Sequence, residues 1–196
     1  MAEFKVLVEG YARKEDGCSY VSSTTTLIKE NGLNIIVDPG MNRELLLESL
    51  QKEGLSTKDI NYVILTHYHI DHSALVGIFE NAEILDDGEI YSFKSTIKNH
   101  DGKIPGTDIE IIGSLGHAMF HCSLIVKTED YGTVVIAGDV LWWRETEEQK
   151  TDKKSLIEHK DPFVKNEEQL IESRKKIIDL ADYIIPGHGK MFKVEK

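Results

Sequence analysis

A chain of 196 residues with 40% hydrophobic and 29% charged side chains has the composition of one globular domain, expected to span residues 1–196, and holds no apolar run near the ~20 residues a membrane helix needs. Its formal net charge of −11 excludes a general electrostatic grip on a nucleic-acid backbone, although metal ions bound at a site could still hold a phosphate locally. The cysteines, Cys18 and Cys122, form neither a disulfide pattern nor a C-x-x-C pair, and the opening residues hold no signal-peptide core, so a reduced, cytoplasmic protein is expected.

Phe4-Lys5-Val6-Leu7-Val8 alternates as a strand does. Ser22 to Ile28 and Leu33 to Val37 are two further strands, joined at Asn31-Gly32, a dipeptide suited to a tight hairpin turn. Asp38-Pro39-Gly40 turns the chain into a helix from Arg43 to Glu53, with Leu45, Leu46 and Leu50 as its core side and Gly54 as its stop. Ser56 with Asp59 three residues on resembles an N-cap, leading by a short turn into a strand at Tyr62-Val63-Ile64-Leu65. A helical run, Ala74 to Phe79, precedes short strands around Ala82 to Leu85, Ile90 to Phe93 and Asp108 to Ile112. Cys122 to Lys127 and Thr133 to Ala137 pair as a hairpin across Glu129-Asp130-Tyr131-Gly132. Trp143 to Asp161 is charged and irregular, a helix runs from about Lys165 to Leu180, and Tyr183-Ile184-Ile185 is the last strand. Both halves begin with sheet and end with helix, which predicts two sheets packed face to face with helices outside.

The strand ending at Leu65 runs directly into Thr66-His67-Tyr68-His69-Ile70-Asp71-His72. Imidazole nitrogen and carboxylate oxygen are the donors that borderline metals such as zinc prefer. His67 and His69, two apart in an extended stretch, point to the same side. Asp71 and His72, in the following turn, can face a second point nearby. Three isolated donors sit in similar strand-end loops beside glycines: His117 after Gly116, Asp139 after Gly138, and His188 between Gly187 and Gly189. These complete two sites, with His67, His69 and His117 for one metal and Asp71, His72 and His188 for the other, and leave Asp139 as a carboxylate able to bridge them. His121 lies four residues beyond His117 and could reach the same pocket, although its place matches a non-ligand position in the family that this ligand order resembles; Trp142 and Trp143 could wall a cleft or sit in the core. His100 and His159 read as loop or surface residues.

The order His-x-His-x-Asp-His, Gly-His, Gly-Asp and Pro-Gly-His-Gly resembles the metallo-β-lactamase superfamily across nearly the whole chain. Within it, the run Gly132 to Val140 and the stretch from Glu172 through Tyr183 to Gly189 are most similar to the small metallo-β-lactamase domain-containing protein 1 group, with the full ligand set also shared by glyoxalase II. The resemblance implies an α/β (α+β) fold, the four-layer αββα metallo-β-lactamase sandwich, with a dinuclear site at one edge of the sheets. It carries the metal roles onto the residues named above and makes Asp38 the aspartate that orients the histidine ligands. Eight residues follow His188, so the helical thioester-binding domain of glyoxalase II is not expected here.

The chemistry expected is that of a cytoplasmic hydrolase with two divalent metal ions, zinc first and iron or manganese as alternatives. A metal-bridging hydroxide would attack an ester, thioester, lactone or phosphodiester bond, and Asp71 would orient it and take its proton. The acidic chain favours a small-molecule substrate; the likeness to the metallo-β-lactamase domain-containing protein 1 group favours single-stranded RNA. No membrane partner is expected. A second class remains open on the same ligands: a di-iron or mono-iron redox or oxygen-handling protein of the persulfide dioxygenase kind. The Trp143–Asp161 segment is expected to act as a lid that sets substrate choice, with a solvated loop or a homodimer contact as the rival reading.

Overall fold

In the computed structural model, which describes residues 1–195, the chain runs through β1 (Glu3–Val8), β2 (Tyr11–Glu15), β3 (Cys18–Ser22), β4 (Thr25–Glu30), β5 (Leu33–Val37), α1 (Arg43–Lys52), β6 (Tyr62–Ile64), α2 (Ile70–Ser73), β7 (Glu83–Leu85), β8 (Glu89–Ser92) and β9 (Thr96–Asn99). It continues through β10 (Glu110–Gly113), β11 (Cys122–Thr128), β12 (Gly132–Trp142), α3 (Lys153–Glu158), α4 (Glu167–Leu180), β13 (Tyr183–His188) and β14 (Phe192–Lys193). One sheet has the order β1-β4-β5-β6-β7-β8-β9, the other β10-β11-β12-β13-β14, and β2 pairs with β3 alone. Among the described residues, no helix is long and apolar enough to cross a membrane.

The period-2 alternation of strand side chains decides the layering. Ile35, Val37 and Ile64 of the first sheet meet Leu124, Val126, Val134, Ile136 and Ile185 of the second in one cluster between the sheets. Their neighbours along the same strands point the other way. Ile36 and Val63 join Leu46 and Leu50 of α1, while Val135, Ala137 and Ile184 join Leu170, Ile177 and Ile178 of α4. Three apolar layers thus separate helix, sheet, sheet and helix, the metallo-β-lactamase sandwich.

The strand pairs β5–β6, β6–β7 and β12–β13 are parallel, so their carboxyl ends gather at one edge of each sheet. Main-chain bonds join the two edges there: Cys122 N donates to Thr66 O at 2.9 Å and Thr24 N to Gly187 O at 2.7 Å, while Ser23 N donates to Asp71 O at 3.0 Å within the first sheet's edge.

The structure departs from the sequence reading in several places. Leu45 is 41% exposed, because Leu46 and Leu50, four apart, define the buried stripe and Leu45 lies a hundred degrees away from it. The run Ala74 to Phe79 is not a helix but a 3₁₀ turn at Val76–Ile78 that follows α2. Leu75 N bonds to Gly40 O at 3.2 Å, so a tertiary contact replaces the helical ladder at its start. The β2–β3 hairpin has its turn at Asp16-Gly17, with φ of 49° and 78°, the left-handed pair that a two-residue turn needs. The segment from Trp143 to Asp161 contains α3, capped by Asp152, whose carboxylate accepts from Ser155 N at 3.0 Å, and anchored by fully buried Leu156. Arg174 of α4 reinforces it from below: Nε donates to Val140 O at 2.9 Å, and Nη1 donates to Ile157 O at 3.2 Å and to His159 O.

A six-residue helix is rarely worth much by itself; this one is held by its core residue. Leu156→Ala should lower unfolding free energy by about 2–5 kcal/mol in urea titrations. A loss under about 0.5 kcal/mol, as at a surface position, would show that the segment does not belong to the core.

Candidate metal centre

The predicted ligands reach the shared sheet edge from four places in the chain. His67, His69, Asp71 and His72 follow β6, with the last two inside α2; His117 lies in the β10–β11 loop; Asp139 lies within β12 and His188 ends β13. His67, His72, His117, Asp139 and His188 are buried, whereas His69 and Asp71 are half-buried and face the cleft. Their donor atoms form two groups that could hold a metal ion: His67, His69, His117 and Asp139 in one, and Asp71, His72 and His188 in the other.

Asp139 stands between the groups. Its Oδ1 lies 3.2 Å from His72 Nε2 and 3.6 Å from His188 Nε2, while Oδ2 lies 3.4 Å from His117 Nε2 and 3.8 Å from His67 Nε2. This approach is possible because residue 187 is glycine: a Cβ there would fall 1.9 Å from Asp139 Oδ1. Gly116 has a similar role before His117, with φ of +124° and Leu170 N only 2.2 Å from where a Cβ would sit.

Outer partners hold the rings in place and assign their tautomers. Asp38 sits at φ 48°, a left-handed conformation that Asp tolerates better than most residues. One of its oxygens accepts from Thr66 N at 2.8 Å, and the other accepts from Thr66 Oγ1 at 2.7 Å and from His72 Nδ1 at 2.8 Å. Thr66 Oγ1 in turn accepts from His67 Nδ1 at 3.1 Å. His188 Nδ1 donates to Tyr11 O at 3.1 Å, and His117 Nδ1 to Asp161 Oδ2 at 2.6 Å. With each Nδ1 turned outward to an acceptor, Nε2 of all four rings points inward, where the neutral ring offers a lone pair to a cation. His69 differs, placing Nδ1 3.1 Å from His117 Nε2.

That inward face fits a cation. His67 Nε2, His72 Nε2 and Asp139 Oδ1 are buried without a hydrogen-bond partner among the described residues, a cost that protein atoms leave unmet and coordination would offset. Burial would raise the Asp139 carboxyl, but His72 and His188 outweigh it and hold the group well below the usual carboxylate range. Burial and the neighbouring His72 push His67 well down, so it is neutral as a ligand must be.

Of the other histidines, His121 is buried against Ser114 Oγ at 2.9 Å, its pKa pushed down to about 3 by burial, and it joins neither donor group. His159, read as a surface residue, instead donates from Nε2 to Trp142 O at 2.7 Å and packs on Trp143. The tryptophans divide: Trp143 belongs to the core beneath α4 and Trp142 to the cleft. That cleft, about 370 Å³, lies over His69, Asp71, Asp139 and His188 and is walled by Tyr20, Val21, Ile70, Trp142 and Phe163. From the segment expected to form a lid, only Arg144 lines it; the β2–β3 hairpin supplies the opposite wall. Asp161 and the hairpin are the elements that sequence reasoning missed.

The sequence profile of the metallo-β-lactamase superfamily matches residues 20–91. The chain belongs to this superfamily, as a relative matched over nearly its whole length shows. Metallo-β-lactamase domain-containing protein 1 of Xenopus laevis is 32% identical over 200 residues, covering 97% of this chain and 81% of that protein. Among solved structures, a metallo-β-lactamase-like protein of Thermotoga maritima superposes with a TM-score of 0.73 at 20% identity, covering 98% of this chain and 99% of that one. AidC, a dizinc quorum-quenching lactonase, gives 0.67 at 17% identity, covering 91% and 77%.

The two-group geometry separates the effects of losing different donors. Asp139→Ala should reduce bound divalent metal from both groups, whereas His69→Ala should lower it chiefly in one, as read by elemental analysis after dialysis. Unchanged metal content in Asp139→Ala would remove that carboxylate from the centre.

Proposed function

We propose that this protein is a dinuclear metal-dependent hydrolase of small esters, thioesters or lactones. The observation that carries the reading is Asp139, whose two oxygens divide between two donor groups. Two divalent ions there, zinc by donor chemistry with iron or manganese as alternatives, would supply Lewis acidity and ionised water at neutral pH. His67, His69 and His117 would hold one ion, and Asp71, His72 and His188 the other, with Asp38 and Thr66 keeping the rings aimed. Asp71 faces the cleft; burial opposes its ionisation, but the contact from His188 Nε2 at 3.2 Å prevails and keeps the carboxylate charged, able to take a proton from the attacking water.

The cleft supports a small substrate with an apolar part. Tyr20, Val21, Ile70, Trp142 and Phe163 offer it carbon and ring faces. Of the three cations at the lip, Arg13 pairs with Glu15 at 3.7 Å and Glu145 at 3.6 Å, and Arg144 with Glu147 at 3.2 Å, which leaves Lys14 without an acidic partner among the described residues. One unpaired lysine is little charge to draw in single-stranded RNA, the other substrate class considered.

Turnover should be measured on S-lactoylglutathione, a homoserine lactone, nitrocefin, bis-p-nitrophenyl phosphate and single-stranded RNA, with and without a chelator. Chelator-sensitive cleavage of a carbonyl substrate is expected, together with two metal ions per chain. Cleavage of RNA alone would replace the substrate assignment. Two irons with visible absorption and no hydrolysis would favour the oxygen-handling alternative.

Because the hairpin forms one wall, Tyr20→Ala should raise KM several-fold on an accepted substrate while metal content stays at the wild-type level. Unchanged kinetics across all accepted substrates would take the hairpin out of substrate binding.

A further inference from the structure

Asp161, at the end of the segment anchored by α3, has a fully buried side chain and accepts three N–H groups. Oδ2 takes His117 Nδ1 at 2.6 Å, while Oδ1 takes Phe163 N at 2.9 Å and Trp142 Nε1 at 3.3 Å. One donor belongs to a candidate metal ligand and two to residues that wall the cleft; Trp142 and Phe163 also pack on each other, ring centroids 5.8 Å apart. Only an acceptor-only group serves all three, because an amide must turn a donating NH₂ toward one of them. The backbone leading to Asp161 is tied down by Arg174 through Ile157 O and His159 O, and by His159 Nε2 donating to Trp142 O.

We propose that Asp161 is a positioning residue that fixes the tautomer and aim of His117 and ties that ring to the cleft wall made by Trp142 and Phe163. Metal affinity in the His67, His69 and His117 group and the placement of the wall are thereby coupled. The proposal rests on the metal-hydrolase reading, and its test is read by metal binding and spectra rather than by turnover.

The full chain is loaded with Zn(II), or with Co(II) as a coloured substitute, and titrated with a competing chelator. Asp161→Asn keeps the side-chain shape and should weaken one of two bound ions by about ten- to a hundredfold, leave the other unchanged, and alter the Co(II) visible bands. Wild-type affinity for both ions with unaltered bands would overturn the proposal. Trp142→Phe keeps an aromatic ring and removes the N–H, so it should shift the slowly exchanging His117 Nδ1 proton in ¹H–¹⁵N spectra. An unmoved resonance would overturn the coupling, and this arm stands even where Asp161→Asn fails to fold. A wild-type chain that binds no divalent ion would sink the hydrolase reading instead, while the His117 proton would still report on Asp161.

Discussion

A carboxylate buried among imidazoles whose Nε2 atoms point inward is the constraint around which the rest of this structure is organised. Each element of that cluster costs desolvation energy. A protein keeps such an arrangement only if the scaffold holds it firmly and something cationic compensates. Here the scaffold does the holding through parallel strands whose carboxyl ends meet at one edge, stitched by main-chain bonds from Cys122 to Thr66 and from Thr24 to Gly187. The apolar layer between the sheets stops just short of the polar cluster, so the core fixes its position without filling it.

The second level of order is a shell of acceptors, each spending itself on one imidazole N–H. Asp38, Thr66, Tyr11 O and Asp161 differ in chemistry yet leave the same result, a ring with Nε2 turned inward. Asp38 is the most connected of them in the first sheet, since it meets both Thr66 and His72 and so aligns two neighbouring ligands with one side chain. Asp161 is its counterpart on the other side of the centre, attached to the second sheet's helical layer.

How much of this could be read in the sequence follows from distance along the chain. The heptapeptide from Thr66 to His72 is local, and the strand period alone places His67 and His69 on one side. The apolar run Val134-Val135-Ile136-Ala137 also foretold a strand, though one buried on both faces gives no hint of which residues face the other sheet and which face α4. Asp161 carried no such signal. It lies 44 residues from His117, in a segment whose charges masked Leu156, the core residue of α3. The β2–β3 hairpin was a different kind of omission: Asp16-Gly17 was present as a turn signal, but the flanking strands alternate weakly because little of the hairpin is buried. Leu45 shows the limit of counting apolar residues on a helix without measuring their angle.

The α3 segment, clamped by Arg174 and ending on Asp161, has a kinetic consequence. Proteins open in parts, and short helices held by one core residue are among the parts that open first. When this one does, His117 loses its acceptor while both sheets remain intact and the other ligands stay in register. Escape of an ion from such a centre would then follow the frequency of a partial opening at the periphery, not the far rarer event of global unfolding. Residence time and fold stability become separable quantities, adjustable at different positions in the chain.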